Sequence, residues 1–391
     1  MSEIETAIAH DLGNLVKLRT VSSTSPIQAE NKFHRREMEK GIGFIADAAN
    51  EAGVFPLFVV GEDEGFPYII IGNQITTEPD IAFSAHLDVA DATRRSFHIT
   101  HDKVNYYGRG VADDKFVIAI YLQLLRYIAL HPVSSSFAVI ITCDEEVGGM
   151  HGDRHIIEDL GYKPKLVVLP DGGRDWNLAY RAKGGLYMNV KSNGKNAHAA
   201  HPVSGENAIL QLIDFYSALG TMTTVPEIER WEDTTVVPSK IVGGESSNQV
   251  PRFAESYFDC RYATFEERER ILQRFAEAAA SVTVTTQGGI DVSLVYETRL
   301  FQIDPSLPDI QRFLRIAEEV IKRPLLLESD FGASNARLYQ QYANAPSIVT
   351  MPPSGNLHEE GEWIERKGIL QLEEILRRFI THFGSQRVNQ S

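Results

Sequence analysis

The sequence predicts an α/β protein: a doubly wound, mixed or parallel sheet forming one domain, interrupted by a smaller inserted α+β domain. Three observations predict this. Apolar runs without alternation recur with helical segments between them, the pattern of strands covered by helices on both faces. Between about residues 182 and 296 the runs change to alternating apolar and polar residues, as expected of half-exposed strands. Beyond residue 297 the first pattern returns, and 391 residues suffice for more than one domain.

The elements follow in order. "MSEIETAIAHDLGNLVKL" carries Ile4, Ile8, Leu12 and Leu15 at helical spacing and acidic residues early, so it reads as a first helix of the mature chain, not a signal peptide. A second helix over about 32–52 carries Met38, Ile42, Ile45 and Ala49 and stops at Gly53. Strand-like runs follow: "VFPLFVV", "YIIIG", "DIAFSAH", "SFAVIITCD", "KLVVLPD" and, much later, "PSIVTM". "KFVIAIYLQLLRYIAL" (115–130) lies between two of them and reads as a buried crossover helix. In the inserted stretch, "GGLYMNVKSNG", "TTVVPSKIVGG", "RFAESYFDCRY" and "DVSLVYET" alternate, with helices expected near 205–219 and 264–280. Helices near 306–322, 333–342 and 362–383 complete the chain. The expected organisation is 1–181 plus 297–391 as one domain and 182–296 as the insertion.

The formal charge of −15 argues against nucleic acid or an anionic membrane as the main partner. No apolar run approaches membrane-spanning length. Cys143 and Cys260 stand far apart and outside any CxxC pair, which reads as two reduced, packed thiols and a cytoplasmic location.

Unusual polar residues close the apolar runs. "IAFSA" leads to His86 and Asp88, "FAVIITCD" to Glu145 and Glu146, "KLVVLP" to Asp171, and "SIVTM" through a Pro/Gly loop to His358. "GRGVADDK" sets Asp113 where the buried helix begins. In an open α/β sheet, ligands bind at the carboxyl ends of the strands. Singly, each residue has a bland reading: Asp113 as a helix N-cap, the Glu pair as solvated surface, a strand-end His as a structural residue. Jointly they place two imidazoles and several carboxylates on one rim. That donor set, without thiolate, suits zinc, cobalt or manganese. It exceeds what one tetrahedral ion uses, so two ions roughly 3.5–4 Å apart with a shared carboxylate are expected. One carboxylate of the Glu145–Glu146 pair then ligates, and its neighbour takes a proton from water.

"SAHLDV", "GRGVADDK", "TCDEEVGG", "LPDGG", "GKNAHAAHP" and "GNLHEEGEWIE" occur in this order, and by them the chain resembles the di-zinc aminoacylase and peptidase family. That family includes succinyl-diaminopimelate desuccinylase, acetylornithine deacetylase, glutamate carboxypeptidase and bacterial di- and tripeptidases. The resemblance implies a catalytic domain carrying an inserted lid, through which many members form homodimers. It implies that His86 and Asp171 ligate one zinc, Glu146 and His358 the other, and that Asp113 bridges them. Glu145 becomes the general base, and Asp88 orients His86. From the insertion, His198 rather than His201 would reach the scissile carbonyl, in dimeric members from the partner subunit. Asn248 and Arg261 would hold a substrate carboxylate, Arg261 as a bidentate fork unless it is a structural ion pair on its strand. One departure stands out: "GASNAR" (332–337) has Asn335 where members often carry an acid. If that loop lines the pocket, the change disfavours a free ammonium group, unless Asp330, Glu359 or Glu360 restores the charge.

The function implied is hydrolysis of an amide in a small substrate with a free carboxylate, of the exopeptidase or dipeptidase kind. An N-acyl-amino-acid deacylase is the alternative, and a non-catalytic dimeric binding homologue is the reading from another class. A phosphoesterase would use a similar ion pair, but no glycine-rich phosphate loop is evident.

Overall fold

A computed structural model of the protein describes residues 2–22, 28–223, 230–282, 289–330, 332 and 334–383. The chain divides into two units: Met1–Arg181 with Gln302–Asp330 and Ser334–Ser391, and Ala182–Phe301 with Phe331–Ala333.

In the first unit, α1 (Glu3–Lys17) begins at Ser2, whose side chain accepts the Glu5 N–H at 3.1 Å, and it buries Ile8, Leu12, Leu15 and Val16. Helix α2 (Gln28–Ala52) buries Met38, Ile42, Ile45 and Ala49, the face its spacing predicts. The hairpin β1 (Leu57–Asp63) and β2 (Phe66–Gly72) follows, then β3 (Ile81–His86), β4 (Asn105–Tyr107), α3 (Lys115–Leu130), β5 (Phe137–Thr142), the short α4 (Asp153–Glu158) and β6 (Val167–Val168). Every residue of β3 and β5 is buried, as a sheet covered on both faces requires.

The second unit holds β7 (Gly184–Asn193), α5 (Ala208–Leu219), β8 (Thr235–Gly243), β9 (Phe253–Tyr262), α6 (Phe265–Ser281) and β10 (Gly289–Thr298). Its sheet runs β8-β9-β7-β10, antiparallel throughout. Strand β9 alternates strictly, sending Ala254, Phe258, Cys260 and Tyr262 to the helices, where Phe215 and Phe275 meet Phe258 edge-on. Helix α6 starts at a capping box of Thr264 and Glu267. Because β10 continues to Thr298, the boundary of this unit falls after the expected residue 296.

The chain then adds α7 (Pro308–Ile321), β11 (Ser347–Ile348), β12 (Trp363–Glu365) and α8 (Arg366–Phe383). The last helix begins later than 362 because Trp363–Glu365 first pair with Tyr107–Asn105. The helix expected over 333–342 is one α turn, Ala336–Leu338, followed by a π turn, Tyr339–Ala343; residue 333 lies outside the described residues.

The main sheet runs β1-β2-β5-β3-β6-β11. Pairs β3/β5, β3/β6 and β6/β11 are parallel, while β1/β2 and β2/β5 are antiparallel. From β3 the chain moves to β5 on one side and then to β6 on the other. The strand order therefore reverses about β3, and such a switch point opens a crevice beyond the strand ends.

Candidate metal centre

The sheet register carries four site residues to that crevice. His86 ends β3 opposite Thr142 of β5, so Glu145 and Glu146 arrive just beyond it. Phe83 pairs with Val168 of β6, so Asp171 and His86 each stand three residues past one paired rung. A second, smaller ladder delivers the others. Tyr107 of β4 opposes Trp363 of β12 in antiparallel register. The segment leaving β4 toward Asp113 and the segment entering β12 from His358 therefore emerge at the same end. Asp113 is no helix cap: that position belongs to Asp114.

Two donor groups form, His86–Asp113–Asp171 and Asp113–Glu146–His358, each offering one atom per residue with all atoms within 4.8 Å of one another. Asp113 belongs to both. Its Oδ1 lies 3.0 Å from His86 Nε2 and its Oδ2 lies 3.0 Å from His358 Nε2, which is 3.1 Å from Glu146 Oε2. His86 Nε2 is buried, yet no hydrogen bond of good geometry satisfies it. A buried nitrogen so close to a carboxylate without a proper bond to it fits a shared cation.

The electrostatics agree with the donor chemistry. Burial, then the charge of Asp113, pushes Asp171 up to about 7. Burial, then Asp171, raises the Glu145 carboxyl well above its ordinary range. Burial works against ionisation of Asp113 too, but His358 and His86 outweigh it and hold this carboxyl well below that range. Hydrogen bonds to Asp113 and Glu146 push His358 up to about 10. Carboxylates crowded into low dielectric repel one another, and divalent cations remove that repulsion. The residues present fit two such ions.

The parts around the ligands differ from expectation in two places. The Nδ1 of His86 meets the main-chain carbonyl of Asp88 at 3.0 Å, with the Asp88 carboxylate 3.4 Å from the same nitrogen. That carboxylate instead accepts the N–H of Glu145 at 3.2 Å and of Glu146 at 3.1 Å. Asp88 thus fixes the Glu145–Glu146 turn as much as it fixes His86. The second difference concerns Asn335. It is not a pocket side chain: it is 1% exposed and donates through Nδ2 to Asp153 Oδ2 at 2.6 Å. Its Oδ1 packs so closely on Gly149 that a Cβ there would come within 2.5 Å of it. Asp153 also accepts from the Tyr339 and Ser84 hydroxyls. The replacement of an acid at 335 therefore acts beneath the turn, not on a substrate ammonium.

Sequence reading missed Glu362 and Arg109, a buried ion pair at 2.7 Å beside Asp113, and Arg337, which donates to the Gly148 carbonyl at 3.1 Å. Glu362 stands inside "GNLHEEGEWIE", two residues past the exposed Glu360, with only its place before an apolar strand to mark it.

Residues 180–286 match the model of the peptidase dimerisation domain of the M20 type. A succinyl-diaminopimelate desuccinylase of Rickettsia felis is 23% identical over 330 residues, covering 80% of this chain and 85% of that protein. A tripeptidase of Staphylococcus aureus has the same fold at a TM-score of 0.74 and 18% identity, over 98% of this chain and 99% of its own. An M20 family metallo-carboxypeptidase of Sulfolobus solfataricus matches at a TM-score of 0.73 and 15% identity, over 97% and 100%. Residues 180–286 thus carry the M20-type dimerisation domain, and the whole chain resembles M20 proteins in sequence and fold. The relatives are by name a desuccinylase, a tripeptidase and a metallo-carboxypeptidase, and they support a hydrolase.

The other expected site residues lie in the second unit. His198 pairs across from Gln249, and the Ala199 N–H donates to the Asn248 carbonyl at 2.9 Å, so His198 and Asn248 are neighbours. The exposed His198 accepts the Ala200 N–H on Nδ1 at 3.0 Å, which puts the proton of the neutral ring on Nε2 and makes that atom a donor. Arg261 is not the open bidentate fork expected. Asp259 takes Nε at 2.6 Å and Nη2 at 2.8 Å, and the Tyr187 hydroxyl also takes Nη2 at 2.6 Å. Tyr187 stacks in turn on Tyr296 with centroids 3.8 Å apart. Among the described residues no hydrogen bond engages Nη1, which leaves one edge of the guanidinium open. No described helix is long and apolar enough to cross a membrane.

Proposed function

We propose that the chain is a two-metal exopeptidase or dipeptidase that hydrolyses the amide of a small substrate ending in a free carboxylate. The observation that carries this reading is the pair of donor groups sharing Asp113, with the partly exposed Glu145 beside them. His86 and Asp171 would hold one ion, Glu146 and His358 the other, and zinc suits this nitrogen and oxygen set, with cobalt and manganese compatible. When bound, such ions lower the pKa of water and polarise a carbonyl.

The chain's own residues do the rest. Glu145 takes the proton of the attacking water and returns it to the leaving amine; burial and Asp171 raise its proton affinity above that of an ordinary carboxylate. Asp88 holds the main chain of Glu145 so that its carboxylate meets the water from a fixed direction. His198 supplies an Nε2–H donor to the oxyanion. Asn248 and the free Nη1 of Arg261 hold the substrate carboxylate, the latter as a charge-assisted bond. Homodimerisation through the second unit is supported by the domain model matched there. A reducing, cytoplasmic setting is supported by two buried, unpaired thiols.

Deacylation of an N-acyl amino acid is the second reading, favoured by the desuccinylase relatives. Mass spectrometry of products from a pool of dipeptides, tripeptides and N-acyl amino acids tests both. Cleavage of free-amine peptides by the zinc-loaded protein, absent in Glu145→Ala, is the expected result. Cleavage of blocked amino acids alone would favour the deacylase, and persistent silence across metals would favour a binding protein.

A further inference from the structure

Glu362 is 1% exposed and belongs to neither donor group, yet all four acceptor sites of its carboxylate are used. Its Oε1 accepts the N–H of Ala112 at 2.8 Å and of Asp113 at 3.2 Å. Its Oε2 accepts the N–H of Gly110 at 3.0 Å and Arg109 Nη1 at 2.7 Å. The other terminal nitrogen of Arg109 reaches the Asp91 carbonyl at 3.3 Å and the Glu359 carbonyl at 3.4 Å, next to His358. One side chain thus grips the main chain around the shared ligand, and its ion-pair partner touches the loop bearing a ligand of one ion only.

The grip answers a need. His358 sits in the left-handed region at φ 63°, unusual for a residue with a Cβ, and its side chain is 56% exposed. Packing therefore does little to hold this side chain, and the pairings that flank its loop, Gly355 with Trp363 and Trp363 with Tyr107, both stop short of it. A carboxylate that satisfies three successive-loop amides and a guanidinium supplies rigidity where the ladder stops.

We infer that Glu362, braced by Arg109, is a positioning residue that keeps Asp113 and His358 in register for the ion held with Glu146. The inference rests on the two-metal reading above. Groups that orient ligands in this way typically change metal affinity by about 10–100-fold when altered.

Glu362→Gln tests it with little change of volume. Glutamine has one acceptor oxygen, so its NH2 must face either the Ala112 and Asp113 amides or Gly110 and Arg109. Zinc and cobalt uptake would be followed by calorimetry and by the visible spectrum of the cobalt form, with the thermal midpoint recorded. Glu373→Gln, at a buried acid of α8 paired with Arg377, controls for general loss of a buried charge. The expected result is two ions in the wild type and in Glu373→Gln. In Glu362→Gln the ion held with Glu146 and His358 is bound about 10–100-fold more weakly, the ion held with His86 and Asp171 loses less, and the cobalt spectrum changes; equal loss of both would overturn the inference. Two ions at wild-type affinity with an unchanged spectrum would overturn the inference alone. Fewer than two ions in the wild type would overturn the two-metal reading, and this inference with it. Should Glu362→Gln not fold, Arg109→Lys reads the same brace, since lysine keeps the charge but not the second arm; unchanged affinity there also overturns it.

Discussion

The two halves of the metal centre are built by different means. His86 ends one strand and Asp171 stands just beyond its parallel neighbour, and the same rung register that fills the core fixes their spacing. Glu146 and His358 stand on turns, and polar tethers fix them: Asp88 on the Glu146 amide, Ala90 N–H on Glu146 Oε1 at 2.8 Å, and Glu362 near the His358 loop. One half is a by-product of sheet packing, whereas the other depends on a few buried polar side chains. Asp113 joins them. The difference teaches that a substitution away from the ligands should disturb the turn-borne half first, because hydrogen bonds in small number hold it, while many apolar contacts hold the other.

The largest effect that would break this comparison is at the shared ligand. Asp113→Ala is expected to abolish uptake of both ions, whereas His358→Ala should lose one and retain the other. Metal analysis after loading and dialysis measures this; two ions retained by Asp113→Ala would show that the halves are not joined there. A smaller effect sharpens the comparison through protons. Metal ligation needs a neutral imidazole and ionised carboxylates. His358 is pushed up to about 10 by Asp113 and Glu146, and Asp171 up to about 7 by burial and Asp113. Below those values the metal-free site holds protons that the ions must displace. Affinity is therefore expected to rise with pH, for the His358 ion until about pH 10, with proton release on binding. Calorimetry in two buffers of unequal ionisation heat reads that release, and identical heats would contradict it.

The contrast also governs what the sequence discloses. His86 and Asp171 are legible because an unbroken apolar run that ends in a polar residue marks a buried strand reaching a rim. The alternation of "RFAESYFDCRY" likewise discloses the one-sided sheet of the second unit. Asp113 is harder, since an acid before a helix is commonly a cap, and only the structure gives that place to Asp114. Asn335 is misread because burial is not written in a loop motif; the acid it meets, Asp153, is 182 residues away. Glu362 is missed for the same reason. Its role arises from the pairing of β4 with β12 and from Arg109, 253 residues earlier, and no local periodicity encodes either. Arg261 is seen as a cation on a strand; its engagement by Asp259 is local, two residues back on the same face, whereas its bond to Tyr187 follows only from the register of the sheet.

The most direct test is anomalous diffraction from crystals of the zinc-loaded protein. Two peaks are expected, one between His86 and Asp171 and one between Glu146 and His358, with an oxygen of Asp113 on each. A single peak, or peaks away from Asp113, would contradict the shared two-metal centre on which the proposed hydrolysis depends.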